Sequence, residues 1–223
     1  MDYSLLVNAP LFKGLSVTEI ENILKDVFHH TKKFGSGALV VQSGDEVRSF
    51  MIVIKGVVKG EMVDYSGRII KIEDIAAPGA LAPAFLFGDK NRYPVNISVV
   101  SDSEILMIPK SGFLKLLMNS GTILTNFLNM ISNRSQFLSE KIRFLSFKTI
   151  KGKLAQFILQ RAGNDKSAIT LEMTQNELAD FFGVARPSVA RALGEMEDDG
   201  MIEARGKNIR ILDKVNLAKL KAD

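Results

Sequence analysis

The chain has 223 residues, 46% of them hydrophobic and 24% charged, with a formal net charge of +4 and no cysteine. That length and apolar content suffice for one large or two modest domains with buried cores, and so mild a charge excess names no partner by itself. The lack of cysteine excludes disulfides, thiolate metal sites, cysteine-ligated iron–sulfur clusters and a cysteine nucleophile.

The first ten residues, MDYSLLVNAP, have no basic region and no long apolar core, so no secretion signal is expected. The apolar run FMIVI is short and ends at Lys55, well under membrane length. A cytoplasmic protein with no membrane partner is the expectation. Ser16 and Glu19 make a capping box for a helix over SVTEIENILKDVF. His29 and His30, the only histidines, follow at its exit, where solvated or capping roles compete with a ligand role.

From Lys32 to about Pro109 the pattern becomes strand-like. ALVVQ, SFMIVIKG, VVKGEMVDY, RIIKIEDI, VNISVV and EILMIP read as short strands, with glycines at 37, 44, 56, 67 and 79 as the turns between them. Tyr65–Ser66–Gly67–Arg68 reads as a hairpin tip. Such a series predicts a sandwich, barrel or jelly roll. AAPGALAPAFLF, at 76–87, is apolar and rich in small residues, and reads as a turn and short helix against the inside of the roll.

A long helix is predicted over 120–147. Leu124, Leu128, Ile131, Ser135, Leu138, Ile142 and Leu145 alternate spacings of four and three, a heptad seam interrupted only by Ser135. Ile123, Phe127, Met130, Phe137 and Phe144 form a second stripe beside it. One stripe can pack on the helix's own domain, and the other then calls for a partner, a second copy being the simplest. A single core helix with a broad apolar face is the alternative. A basic run, Lys141, Arg143, Lys148, Lys151 and Lys153, covers the exit of this helix with no acid between.

Thr149 to Arg161 predicts a helix with Ile150, Leu154, Phe157 and Ile158 inward, and GNDKSAITLEM a loop and strand. Thr174 and Glu177 then form a second capping box, with Leu178, Phe181 and Phe182 at helical spacing and Gly183 as the stop. A second helix begins near Arg186–Pro187 and turns Val189, Leu193 and Met196 inward. Its polar side carries Arg186, Ser188 and Arg191, with no carboxylate before Glu195. An arginine-bearing second helix suits the major groove of DNA, against the alternative of a plain helical hairpin with a solvated basic face. MIEARG and NIRILD, around Gly206–Lys207, predict a β-ribbon, and residues 217–223 are expected to fray. No Ser/His/Asp set, metal-ligand spacing or glycine-rich phosphate loop is present, so no enzyme is expected.

With the wording MTQNELADFFGVARPSVARALGEMEDDGMIEARGKNIRIL, the chain closely resembles the Crp/Fnr family of bacterial transcription regulators. The resemblance spans nearly the whole length; it is specific over 149–212 and in SEKIRFLSF at 139–147, and looser in the roll. It implies an α+β fold: a double-stranded β-helix, or jelly roll, as sensor over 1–119, a dimerisation helix over 120–147, and a winged helix-turn-helix over 148–223. It implies a homodimer on palindromic double-stranded DNA, with RNA polymerase as a further partner. Arg186 matches a guanine-reading arginine and Arg191 a second one, while Ser188, Thr174 and Gln175 match phosphate contacts. Arg205 and Lys207 match wing contacts to the backbone. Pro187 departs from relatives that place a glutamate there, so the half-site need not be theirs.

Cyclic-nucleotide-binding relatives carry a glycine–glutamate pair for the ribose and, further on, an arginine–serine pair for the cyclic phosphate. Aligned from Gly79, those places hold Pro83–Ala84 and Pro94–Val95, with Arg92 as the nearest cation. Ser139 is kept on the long helix, whereas the threonine before it has become Leu138. The resemblance therefore implies an effector other than a cyclic nucleotide, in an apolar pocket near Phe85, Phe87, Phe137 and Leu138. Haem, as in relatives that sense nitric oxide, is the candidate, with His29 and His30 as the available imidazoles. A pocket filled by its own side chains, and a cyclic-nucleotide regulator with a rearranged phosphate site, are the alternatives.

Overall fold

The structure, a computed structural model, describes residues 2–63, 66–145, 147–163 and 166–220, with the side chain of Leu145 outside that description. It divides into two compact units, Met1–Asn133 and Arg134–Asp223, so the boundary falls inside the long helix.

The first unit opens with α1, Val17–Lys25. Ser16 Oγ accepts from the Glu19 amide at 3.4 Å and the Ser16 amide donates to Glu19 Oε2 at 2.8 Å, which satisfies two free donors at the helix start. Ile20 and Leu24 bury the inner face. Six strands follow: β1 His30–Phe34, β2 Leu39–Val41, β3 Ser49–Val63, β4 Ile69–Ala76, β5 Gly79–Leu81 and β6 Asn96–Pro109. The path is β1-β6-β3-β4, with β2 also on β6 and β5 also on β3. Two long strands thus carry all the others, and the sheet rolls around them.

Two features differ from the sequence reading. SFMIVIKG and VVKGEMVDY, as far as Val63, are one strand, and so are VNISVV from Asn96 and EILMIP. Gly56, at φ 85°, makes a bulge and not a turn: register shifts on both sides of it bend β3 without breaking its pairing with β6. The hairpin tip expected at 65–68 is a turn at Ser66–Gly67, while Tyr65 lies outside the described residues. AAPGALAPAFLF supplies the end of β4, β5 and a 3-10 turn, Pro83–Phe85, entered through Ala82 at φ 45°.

Between the roll and the long helix lies a further helix that the sequence pattern does not predict, α2, Lys110–Asn119, which buries Phe113, Leu116 and Leu117. The Phe50 and Phe113 rings stack at 4.2 Å, and Phe127 meets Phe113 edge-on at 5.2 Å. The long helix, α3, spans Gly121–Leu145. Its second stripe is the inner one: Ile123 and Phe127 are buried in the first unit's core and Phe144 in the second's.

The second unit comprises α4 Ile150–Ala162, β7 Ala168–Thr170, α5 Gln175–Phe182, α6 Arg186–Asp198, β8 Ile202–Arg205, β9 Asn208–Ile211 and α7 Lys214–Lys219. The strands form one small sheet in the order β7-β9-β8. Phe144, Phe157, Phe181 and Phe182 pack ring on ring at 5.2–6.0 Å, the centre of the core. The C-terminal segment corrects the expectation of fraying from 217. Asp213 caps α7 and Leu217 is fully buried, so the chain is held to Leu220, with 221–223 outside the described residues.

Candidate nucleic-acid interface

The helix pair is set by local chemistry. Thr174 Oγ1 accepts from the Glu177 amide at 3.3 Å while the Thr174 amide donates to Glu177 Oε2 at 2.6 Å. Those two Thr174 groups, the amide first, hold the Glu177 carboxyl below the usual glutamate range. Gly183 ends α5 at φ 67°, ψ 38°, a left-handed conformation that glycine adopts at little cost. Val184 N donates back to Ala179 O at 3.0 Å, and Ala179 is buried where α5 meets α6. Leu178, Phe181 and Phe182 on α5 and Val189, Leu193 and Met196 on α6 are buried together in one core.

That burial leaves the other side of α6 outward. Arg186 and Arg191 are exposed and Ser188 half-buried. Ala185 offers no side-chain cap and Pro187 no amide hydrogen, so α6 begins as a bare helix start carrying an arginine. Gln175 is half-buried at the first position of α5, next to the exposed Thr174. A shallow hollow of ≈ 300 Å³ beside α6 is lined by Ser188, Arg191, Thr149, Lys151 and Glu195 among others. Lys151 pairs with Glu195 at 2.9 Å and Asp199 at 3.4 Å, and the Glu195 carboxylate above all raises its pKa, keeping the ammonium charged.

The ribbon brings Arg205 and Lys207 to the turn at Gly206, which has φ 62°. Both are exposed and both have partners: Arg205 Nη2 lies 2.6 Å from Glu203 Oε1, and Lys207 Nζ donates to Glu172 O at 3.3 Å. The basic run at 141–153 is not one surface. Lys151 faces α6, whereas Lys153 is buried, its Nζ donating to Phe182 O at 3.2 Å. The run was visible in the sequence; the burial of one member was not.

Residues 152–220 match the model of the Crp-like helix-turn-helix domain and residues 31–120 that of the cyclic nucleotide-binding domain. The chain belongs to the Crp/Fnr family. It is 23% identical over 185 residues to the cAMP-activated global transcriptional regulator CRP of Salmonella typhimurium, covering 81% of this chain and 88% of that protein. A transcriptional regulator of Thermotoga maritima of known structure is 32% identical over 58% of this chain and 98% of its own, with a TM-score of 0.54. The catabolite activator protein of Thermus thermophilus, 19% identical, shares the fold over 96% of this chain and 99% of its own at a TM-score of 0.57. These relatives are transcription regulators and not enzymes.

In this Crp/Fnr chain the sensor residues fall as follows. Ala84 and Phe85 lie exposed in the 3-10 turn and Pro94 is exposed after the buried Tyr93. Burial pushes the Tyr93 phenol up to about 12, so it stays neutral. Arg92 Nη1 donates to Gly44 O at 2.7 Å, which ties the nearest cation to the 42–46 turn. A Cβ on Gly60 would lie 3.3 Å from Val95 Cγ2, so the strand is packed closely at this position.

Phe85 and Phe87 belong to the roll, and Phe137 and Leu138 to the second unit. Phe87 packs against Phe127 at 6.0 Å and Phe113 at 6.4 Å, with Lys110 Nζ 5.3 Å over its ring; Phe137 packs against Phe181 at 5.6 Å. Leu138 is exposed. His29 Nδ1 pairs with Val27 O at 2.8 Å and its ring meets Tyr3; His30, in the exposed strand β1, lies against Phe28. Phe87 and Phe137 thus pack within their own units, and the ring contacts of His29 and His30 are with Tyr3 and Phe28, neither of them in the expected lining.

Proposed function

We propose that the protein is a sequence-specific transcription regulator that binds palindromic operators as a homodimer, with α6 in the major groove. The observation that carries this reading is the exposed Arg186 at the bare start of a helix whose opposite face is fixed in the core. A guanidinium there presents two donors to the O6 and N7 of a guanine. Arg191 is a second donor along the groove. Thr174, Gln175 and Ser188 serve phosphates near two helix starts. Arg205 and Lys207 follow the backbone from the ribbon, exchanging Glu203 and the Glu172 carbonyl for phosphate. RNA polymerase is the further partner this role calls for.

The test is selection of bound duplexes from a random pool with the native protein and with Arg186→Ala. The native protein should enrich a palindrome with half-sites one helical turn apart. Arg186→Ala should bind it about 1–3 kcal/mol more weakly and lose preference at one base position per half-site. An unchanged preference in Arg186→Ala removes α6 as the base reader.

The effector is proposed to be something other than a cyclic nucleotide. A cyclic phosphate entering the roll must shed water, and an unpaired buried charge is strongly disfavoured. Pro94 offers it neither a cation nor an amide hydrogen, and Arg92 is held by Gly44.

A further inference from the structure

Lys153 is 8% exposed, and it and Ser103 are the polar or charged side chains buried among the described residues. It sits in the first turns of α4, behind the Thr149 cap. Its ammonium donates to the carbonyl of Phe182, the last residue of α5. Carbonyls at a helix end have no partner within the helix and carry the negative end of its dipole, so a cation there is doubly favoured. Gly183 N and Val184 N turn back to the carbonyls of Asp180 and Ala179. Only Gly183, Val184 and Ala185 lie between the Phe182 carbonyl and Arg186.

A buried ammonium is a poor way to gain stability. Its desolvation offsets most of what the hydrogen bond returns, and an apolar side chain of the same length is often as stable or more so. What the ammonium supplies, and a methyl group does not, is direction. It holds one carbonyl at the pivot of the helix pair, at the point where a small backbone rotation swings Arg186 away from a base edge. We propose that Lys153 is a positioning residue for DNA reading: by bonding the end of α5 it sets the angle at which α6 leaves the turn. This rests on the reading of α6 as the base-reading helix.

The prediction separates function from stability. In full-length protein, Lys153→Met should fold with a thermal midpoint close to or above that of the native chain. It should nevertheless lower affinity for the selected operator about tenfold, the scale of a lost hydrogen bond to a charged donor. Binding to non-specific DNA, and the salt dependence of binding, should be unchanged, because the buried ammonium neutralises no phosphate. Lys153→Arg, which keeps charge and donor, should restore operator preference. Operator affinity within twofold of native in Lys153→Met would overturn the proposal, as would a loss shared equally by specific and non-specific DNA. Should Lys153→Met fail to fold, the shorter neutral Lys153→Gln is read by the same criteria. Arg186→Ala run alongside distinguishes the two failures. If it keeps the native preference, the reading of α6 is wrong; if it relaxes preference and Lys153→Met does not, only the role of Lys153 is.

Discussion

Gly56 shows how much one residue decides in this chain. Its φ of 85° already disfavours any side chain, and a Cβ would lie 2.4 Å from both Asp102 O and Ser103 Oγ and 2.9 Å from Ser103 Cα. Two of those atoms are backbone of the paired strand and cannot swing aside. Ser103 is itself buried, its Oγ donating to Ser101 O at 2.6 Å. Gly56→Ala should therefore destabilise the roll by about 3 kcal/mol, the upper range for forced overpacking combined with a left-handed backbone. Urea unfolding followed by circular dichroism measures it. A loss below about 1 kcal/mol would mean that β6 yields freely at this bulge.

Helix α3 is the element that asks for a partner. Its inner stripe is satisfied, with Ile123 and Phe144 fully buried. The seam at heptad spacing is not: Leu124 is 39% exposed, Leu128 55%, Leu138 45% and Ile142 69%. Leucines repeated at four-and-three spacing on an open helix face have the spacing that coiled-coil knobs need, which supports the proposed dimer. Pairing with an identical helix would cover them and create the two-fold axis that a palindrome requires. Leu138→Glu puts a charge into that seam. It should convert the dimer to monomers in sedimentation equilibrium at micromolar concentration and abolish operator binding while leaving each unit folded. A native protein that sediments as a monomer at that concentration counts against the seam.

Over the whole molecule, charge divides as the units do. Residues 1–133 hold 13 basic and 13 acidic side chains, while 134–223 hold 16 and 12, so the entire excess of +4 belongs to the unit that carries the helix-turn-helix. The first unit is electrically neutral, and the proposal that its effector is not a cyclic nucleotide rests on Ala84 and Pro94, neither of which offers a charge or a side-chain hydrogen bond. Isothermal calorimetry with cyclic AMP and cyclic GMP should give no binding heat up to physiological concentration. Saturable heat at micromolar cyclic AMP would establish a rearranged phosphate site, with Arg92 released from Gly44 as the first residue to substitute.

The sequence by itself determined the helix-turn-helix down to its caps, because every signal there is local. Thr174 and Glu177 are one helical turn apart, Gly183 stands next to Phe182, and the apolar spacing of α6 lies within thirteen residues. The alternation of α3 and the strand-rich character of the first half were legible for the same reason. The tertiary structure alone decided what depends on a distant neighbour. Whether Gly56 turns the chain or only bends it is settled by Asp102 and Ser103 on another strand. Leu217 looked like part of a loose tail until Asp213 capped its helix and the second core received it. In the sequence Lys153 is simply one member of a basic run. Its burial follows from α4 lying against the end of α5, where a helix terminus offers an ammonium the carbonyl that water would otherwise replace.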